Sequence, residues 1–250
     1  MANVGTNGAA ARRAFLKTLG TGAAAGLAVG ALPSANLAAA PKRGAQYAML
    51  IDTRRCIGCH ACTVACNAEY DVPLGYNRSW VEYVEKGNYP DVSRSFLPRL
   101  CNQCSDPNCV SVCPTGATYK REEDGIVVVD ADVCIGCKYC VLACPYDARF
   151  LDPNTGTVDK CDFCRHRVAN GIVPACVETC IGRARIFGDI NDPDSEISKQ
   201  IARNPVTVLR PDKGTKPNVY YIAADDSDER GRRQGQYVRV TTHRKQLARR

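Results

Sequence analysis

Short apolar runs separated by polar turns recur along this 250-residue chain and predict a fold of short strands. Residues 47–52, 206–209 and 219–222 form three such runs, each four to six residues long and rich in β-branched or aromatic side chains, as strands are. One helical pattern lies among them: in residues 195–203, Ile197 and Ile201 fall on the same face. We expect the preceding Asp192-Pro193-Asp194 to cap that helix.

Two further stretches predict β-hairpins, each made of two short apolar runs joined by a turn. In the first, residues 117–121 and 126–129 flank Asp124-Gly125, a dipeptide that favours tight turns. In the second, residues 148–151 and Val158 flank a Pro-Asn-Thr-Gly sequence. Together with the helix, these short elements predict an α+β fold with long loops.

Residues 1–40 have the pattern of an export signal. Arg12 and Arg13 open a sequence that resembles the twin-arginine (Tat) consensus, a weakly apolar Ala/Gly-rich run follows from 18 to 32, and three alanines at 38–40 offer a cleavage site. The apolar run is only about 15 residues long and is diluted by glycine, so it is a poor membrane span. A transmembrane anchor or a core helix is the alternative. We expect the folded chain to be exported by the Tat route.

The net charge of +7 is concentrated at the two ends of the chain. Residues 1–40 carry three basic and no acidic side chains, and residues 226–250 carry eight basic and three acidic ones. The remainder, 41–225, is close to neutral, with 22 basic and 23 acidic side chains. The body therefore lacks the basic face of a nucleic-acid binder. We expect the tail 226–250, which has no apolar period, to be disordered.

Sixteen cysteines fall into four groups of four. The groups are Cys56, Cys59, Cys62 and Cys66; Cys101, Cys104, Cys109 and Cys113; Cys134, Cys137, Cys140 and Cys144; and Cys161, Cys164, Cys176 and Cys180. The first and third groups have the spacing C-x2-C-x2-C-x3-C, which holds cubane iron–sulfur clusters in bacterial ferredoxins. The second group widens its middle gap to four residues and the fourth group to eleven.

In that spacing the first three thiolates bind one cluster and the fourth binds another, so each group needs a partner group. Gly58 and Gly136 allow a positive φ that points backbone amides at the sulfurs. Four groups of four thiols predict four 4Fe–4S clusters, which would form much of the interior of a chain with only five Phe and one Trp. Two alternatives use the same cysteines: zinc sites built from paired C-x2-C elements, and eight disulfides.

A repeat lies beneath the cysteine groups. In the last three groups an alanine follows the final cysteine by four residues, at Ala117, Ala148 and Ala184, and each alanine begins a strand-like segment. We interpret the unit as a cysteine loop, a short helix carrying the last cysteine, and a strand. The first group lacks the alanine because residues 67–100 are inserted there. That insertion is expected either to lie on the surface, where it covers a cluster or meets a partner, or to be a packing loop.

Few other residues suggest chemistry. His60 lies within the first cysteine loop and is expected to be an exposed loop residue, although a bond to a cluster or partner is the alternative. Lys138, Lys160 and Arg165 lie beside cysteines and are expected either to raise cluster potentials or to be ordinary surface charge. The sequence contains no Ser-His-Asp or Cys-His set, no G-x-G-x-x-G and no P-loop.

The order of the four groups, the widened second group, the long gap in the fourth and the Tat signal resemble the iron–sulfur subunits of the dimethyl sulfoxide reductase superfamily. Within that family the chain is most similar to the subunits of tetrathionate reductases, through phrases such as Leu-Pro-Arg-Leu-Cys at 97–101 and Cys-Pro-Tyr-Asp-Ala-Arg-Phe at 144–150. The resemblance covers about residues 10–223. It implies tandem dicluster modules of the bacterial ferredoxin type.

The resemblance also implies crossed ligation, in four sites. Site 1 is Cys56, Cys59, Cys62 and Cys180; site 2 is Cys66, Cys161, Cys164 and Cys176; site 3 is Cys101, Cys104, Cys109 and Cys144; site 4 is Cys113, Cys134, Cys137 and Cys140. The implied modules interleave groups one and four with groups two and three over residues 41–190, and residues 191–225 close the fold. In the family, site 1 faces the catalytic subunit and site 4 the quinol side.

The resemblance implies a non-catalytic electron-transfer subunit. It would relay electrons from a quinol-oxidising membrane protein to a molybdopterin reductase, on the periplasmic side of the cytoplasmic membrane. Arsenate, polysulfide or nitrite reductase complexes are alternatives, as is a free soluble carrier. No segment after residue 40 reaches 18 consecutive apolar residues, so we expect membrane attachment through a partner.

Overall fold

A computed structural model of the chain describes residues 44–224 and the dipeptide 239–240. The expected export signal lies outside the described residues, as does most of the basic tail. The strands are β1 (Tyr47–Asp52), β2 (Ser79–Asn88), β3 (Asp91–Leu100), β4 (Thr118–Lys120), β5 (Val127–Val129), β6 (Phe150–Leu151), β7 (Val158–Asp159), β8 (Arg185–Asp189), β9 (Val206–Thr207), β10 (Val219–Ile222) and β11 (Arg239–Val240). The helices are α1 (Ala61–Tyr70), α2 (Asn108–Ser111), α3 (Tyr139–Leu142), α4 (Arg165–Ala169), α5 (Ala175–Glu178) and α6 (Glu196–Arg203). The α+β prediction is confirmed.

A four-stranded sheet in the order β8-β1-β10-β9 joins the beginning and the end of the described chain. Strand β1 pairs antiparallel with β8 and parallel with β10. Because side chains alternate along a strand, Met49 and Ile51 enter the main core while Ala48 and Leu50 face a smaller one. Both faces of β1 are therefore buried, which explains its continuous apolar run.

Helix α6 covers the smaller core. Ile197 is fully buried there, and Ile201 packs against the same cluster, as the helical pattern predicts. The expected cap was wrong by one residue: the N-cap is Ser195, whose side chain accepts a hydrogen bond from the Ser198 amide. Ser195 Oγ also donates to the Asp189 carbonyl at 2.7 Å, so the cap ties α6 to the end of β8.

The segment 67–100 is a packed hairpin rather than a surface loop. After α1, strands β2 and β3 pair over ten residues each, and the hairpin buries Trp80, Val81 and Leu97 in the main core. The hairpin also lies over the first cysteine loop, where Tyr83 Oη donates to the Gly58 carbonyl at 3.1 Å. The hairpin therefore packs in the core, and its covering of a cluster stays a prediction.

The two small hairpins form as predicted, in shorter form. Strands β4 and β5 make one two-stranded sheet and β6 and β7 the other. In the basic tail, β11 pairs antiparallel with β2, so these two residues depart from the expected disorder. No helix within residues 44–224 is long and apolar enough to cross a membrane.

Candidate iron–sulfur centres

All sixteen cysteines lie within residues 44–224, and all are free thiols. Cys59 and Cys137 are exposed, and the other fourteen are buried or half-buried. The eight-disulfide alternative therefore does not describe this structure. No three His, Cys, Asp or Glu side chains among the described residues converge on a position for a single metal ion. A cubane spaces its ligating sulfurs around an iron–sulfide core instead of drawing them onto one ion.

The second residue between the first two cysteines of every group has a positive φ. These residues are Gly58 (70°), Gln103 (45°), Gly136 (66°) and Phe163 (56°). At Phe163 this turns the amide onto the first sulfur of its loop, where it donates to Cys161 Sγ at 3.4 Å. Cys56 receives a hydrogen bond from the Gly58 amide in the same way. Amides aimed at sulfur stabilise a ligating thiolate, so the loop backbone fits the proposed ligand role.

The predicted alanine repeat is a structural repeat. Ala117, Ala148 and Ala184 are all buried, and each is preceded by a residue of positive φ. The amide of Ala184 donates to Cys180 Sγ at 3.2 Å, and the Thr118 amide donates to Cys113 Sγ at 3.4 Å. One detail of the predicted unit was wrong: in the last three groups the short helix carries the third cysteine, and the last cysteine follows that helix.

Site 1 is a cavity that gathers cysteines from the first and last groups. Its lining includes Cys56, Cys59, Cys62 and Cys180 together with Arg185. The pairing of β1 with β8 brings these groups together, since the Asp52 amide donates to the Ala184 carbonyl at 2.8 Å. The four thiols implied by the family resemblance are thus neighbours in space.

Site 2 is the most deeply buried set. Burial raises the pKa of the Cys66 thiol far above its usual value, and Cys176 and Cys164 raise it further. Burial also raises the pKa of Cys161, again with contributions from the other three thiols of the set. Four buried thiols cannot ionise together in a low-dielectric site unless a cation lies among them. Iron supplies such a charge by displacing the thiol protons, so the set suits a metal cluster.

Site 3 follows the same pattern. Burial raises the pKa of Cys104 to about 12, with Cys101, Cys109 and Cys144 adding to the rise and a hydrogen bond with Thr215 opposing it. These are the members of the implied set. In addition, the thiol of Cys101 raises the pKa of Cys161, which places sites 2 and 3 next to each other.

Two ligands predicted for site 4 lie at helices that contact each other, since Cys113 follows α2 and Cys140 lies in α3. Cys134 Sγ accepts from the Val158 amide at 3.4 Å. Burial acts to raise the pKa of Cys113, yet hydrogen bonds from Thr118 and Thr115 lower it below the usual value. The gathering of all four thiols of this set stays a prediction.

The buried cations near the sulfurs were only partly predicted. Lys160 is buried, and its Nζ donates to the carbonyl oxygens of Val127 and Cys161. Lys138 and Arg165 lie on the surface. Arg149 and Arg185, which are 2% and 3% exposed, were missed. Both directly follow a repeat alanine, and that shared position was the available signal.

His60 also differs from expectation. It is half-buried with a positive φ of 59°, and its Nε2 lies 2.6 Å from Tyr83 Oη. Burial lowers the pKa of the ring. It therefore joins the first cysteine loop to the β2–β3 hairpin instead of standing free in solvent.

Exposed apolar side chains lie close in sequence to the predicted ligands of sites 1 and 4. Ile57 and Ile181 are 61% and 75% exposed beside site 1, and we name them the Cys59 rim. Ile135, Tyr139 and Leu142, which are between 58% and 82% exposed, form the Cys137 rim at site 4. Exposed apolar clusters next to a reactive group are typical of surfaces that other proteins cover.

Comparisons with known proteins find iron–sulfur families and relatives. The family described as "4Fe-4S dicluster domain" matches residues 92–190, and "4Fe-4S binding domain" matches residues 47–68. The chain is 48% identical to a tetrathionate reductase subunit of Salmonella typhimurium, over 89% of this chain and 92% of the relative. It is 43% identical to a selenate reductase subunit of Mesobacillus selenatarsenatis over 73% of each, and 42% identical to protein NrfC of Escherichia coli over 84% and 94%.

Proposed function

Because the chain belongs to the iron–sulfur electron-transfer subunits of the dimethyl sulfoxide reductase superfamily, we propose that it relays electrons within a tetrathionate reductase-like complex. The electrons would pass from a quinol-oxidising membrane subunit to a molybdopterin catalytic subunit. The chain itself would make and break no substrate bonds. Its work is to hold the redox groups at fixed positions.

We assign four 4Fe–4S clusters to sites 1 to 4, with the ligands defined above. Each cluster, when bound, takes up and passes on one electron at a time. The residues of the chain exclude water through burial, and their amides and buried cations stabilise negative charge on the sulfurs. The free thiols, the positive-φ loops and the cavity at site 1 support this assignment.

One observation carries the proposal: buried groups link thiols of each implied set to thiols of the next. Arg185 interacts with Cys62 of site 1 and with Cys176 of site 2. Cys161 of site 2 lies near Cys101 of site 3. Arg149 interacts with thiols of site 3 and with Cys140 of site 4. Such an order, 1-2-3-4, suits stepwise transfer between two partners.

The ends of this sequence suit partner docking. Sites 1 and 4 contain the two exposed cysteines, and each has its apolar rim. A free soluble carrier would keep two such surfaces in water, so the rims favour a subunit held between two proteins. By analogy with the family, we assign the Cys59 rim to the catalytic subunit and the Cys137 rim to the membrane subunit.

We also propose that the protein works on the periplasmic side of the cytoplasmic membrane after export in the folded state. The Arg12-Arg13 pair supports this, since the Tat route is an address carried by such a pair. Folding before export lets the chain receive its clusters in the cytoplasm.

The first test is an anaerobic purification of the chain from native membranes. We expect a molybdenum-containing large subunit and a multi-span protein to co-purify, and oxidation of reduced dye by tetrathionate. Dye oxidation by arsenate, polysulfide or selenate instead would keep the relay and change the acceptor. Recovery of the chain alone would support the free carrier and contradict the complex.

The second test is Cys137→Ser, with Val133→Ser in the same loop as the matched control. We expect Cys137→Ser to lose or convert one of four clusters, seen in iron content and electron paramagnetic resonance, and to stop quinol-linked turnover. The control should keep four clusters and normal turnover. Normal iron and unchanged quinol-linked turnover in Cys137→Ser would contradict the assignment of site 4.

A further inference from the structure

Arg149 and Arg185 occupy the same position in the internal repeat. Each directly follows the repeat alanine, Ala148 or Ala184, and each is almost completely buried. A buried guanidinium carries a large desolvation cost unless negative charge or hydrogen-bond acceptors surround it. Two such residues at equivalent positions therefore require the same kind of partner.

The partners of Arg149 belong to the sulfur sites. Its Nη2 donates to Cys109 Sγ of site 3 at 3.0 Å, and its Nη1 donates to Thr118 Oγ1 at 3.2 Å. Thr118 itself follows the repeat alanine of the second group. The Thr118 amide in turn donates to Cys113 Sγ of site 4 at 3.4 Å. Arg149 thus lies at the junction of sites 3 and 4.

Arg185 lies at the junction of sites 1 and 2. It lines the cavity of site 1, and its Nη2 donates to Ser79 Oγ at 2.9 Å. A side-chain hydrogen bond also joins Arg185 to Cys176 of site 2. Among the described residues no carboxylate forms an ion pair with Arg185. Ligating thiolates of the two sites would supply its counter-charge.

Lys160 completes the pattern at the remaining junction. Its Nζ donates to the carbonyl oxygen of Cys161 in site 2 at 2.9 Å and to that of Val127. The Val127 amide in turn donates at 2.8 Å to Gln103, which lies in the cysteine loop of site 3. Each of the three junctions between neighbouring sites therefore holds one buried cation.

We propose that Arg149 and Arg185 are potential-setting residues, each acting on the two clusters at its own junction. The inference rests on the proposed cluster function. One electron enters a cluster from its neighbour and leaves to the next, so no bond forms or breaks at the arginine. A fixed cation in a low-dielectric interior stabilises the more negative, reduced cluster. Because the cation lies between two clusters, it favours reduction of both.

Buried cations and surface cations differ in their effect on the clusters. Water and salt screen the charges of Lys138 and Arg165, so their effect on the clusters is small. Of the three residues predicted from sequence to raise potentials, only Lys160 keeps that role.

The test is a redox titration followed by electron paramagnetic resonance, on the holo-protein purified within its complex. In Arg185→Met we expect two of the four clusters to become harder to reduce. At a fixed ambient potential their reduced-to-oxidised ratio should fall at least about tenfold, equivalent to 59 mV for one electron. Arg149→Met should shift the other two clusters. The exposed Arg183→Met, two residues from Arg185, is the matched control and should shift none.

A second pair of variants keeps the arginines in place. Ser79→Asp gives Arg185 a counter-charge, and Thr118→Asp does the same for Arg149. We expect each to reproduce the shift of the corresponding methionine variant, which a merely structural role would not do. Retained clusters with unchanged potentials in these variants would overturn the inference. Absence of clusters from the wild-type protein would instead overturn the proposed function.

Discussion

Gly136 offers a sharp test of the cysteine-loop geometry. Its φ is +66°, and a Cβ added there would lie 2.3 Å from the carbonyl oxygen of Gly156 and 3.3 Å from Leu151 Cδ1. The first of these atoms is backbone and cannot rotate away. Gly156 provides the matched control, because its φ is +68° and a Cβ there would meet nothing within 4 Å. The variants Gly136→Ala and Gly156→Ala therefore have the same backbone strain, and only Gly136→Ala adds the collision with a carbonyl oxygen.

The cost of each substitution follows from these contacts. A left-handed conformation costs a residue with a Cβ about 1–2 kcal/mol, and this applies to both variants. Displacing the Gly156 carbonyl adds about 1–3 kcal/mol, the usual cost of overpacking, to Gly136→Ala alone. The two variants should therefore differ by about 1–3 kcal/mol. If the whole difference lowers the activation free energy of unfolding, the unfolding rate of Gly136→Ala should be roughly 5- to 150-fold higher.

The measurement is the rate at which the visible cluster absorption disappears in a fixed concentration of guanidinium under anaerobic conditions. A rate is appropriate because loss of a metal cluster makes unfolding irreversible. We expect Gly136→Ala to bleach at least about fivefold faster than Gly156→Ala. Equal rates would refute the reasoning, since they would mean that the chain absorbs the collision with the Gly156 carbonyl without cost.

Three further predictions concern stability, measured, as for Gly136, from the rate of cluster bleaching in guanidinium and expressed as a free energy. Arg99→Met should destabilise the protein by about 3–5 kcal/mol, because it removes the ion-pair partner of Glu82, which lies at 3.0 Å and is 1% exposed. The double variant with Glu82→Met should recover part of this loss. No recovery would contradict the pairing. Ser195→Ala should cost about 1 kcal/mol through loss of the helix cap, and a loss below the error of the measurement would contradict it. Burial raises the pKa of Tyr220 above 10.0, so the folded state favours the neutral phenol. The contribution of this preference to the free energy of unfolding is lost as the pH rises above 10.0. Wild type should therefore weaken relative to Tyr220→Phe above that pH, whereas parallel pH profiles would contradict the burial effect.

The elements that the sequence predicted best are those with local signals. Strands β1 and β10 have the predicted bounds, because each is a continuous apolar run with polar residues at its ends. The cysteine loops were predictable for the same reason: ligand spacing is a property of a few adjacent residues. The alanine repeat was visible because three copies share one offset from a cysteine.

The features that were missed depend on residues far apart in the chain. Strand β2 contains Glu82, which looks like a solvated charge in the sequence. In the structure it accepts a hydrogen bond from Arg99, 17 residues later in β3. The burial of Arg149 likewise depends on the sulfur of Cys109, 40 residues earlier. Helix-cap choice failed on a smaller scale, since Asp192 and Ser195 are both good caps and the end of β8 selects between them. In each case tertiary contacts, and not composition, decide whether a polar side chain is exposed.

The proposed order of the sites would account for the interleaving of the cysteine groups that the family resemblance implies. The pairing of β1 with β8 joins the first and last groups, while the contact of α2 with α3 joins the second and third, so one module is nested inside the other. Gln103, fully buried in the second group, connects the two modules: its Nε2 donates to the Cys161 carbonyl at 2.7 Å, and its Oε1 accepts from the Val127 amide at 2.8 Å. Lys160 makes a second connection, to the carbonyl oxygens of the same two residues. Because buried polar networks hold their members in one arrangement, the nested modules act as one rigid support. A relay needs that property at the junction of sites 2 and 3, where the electron must leave one module and enter the other.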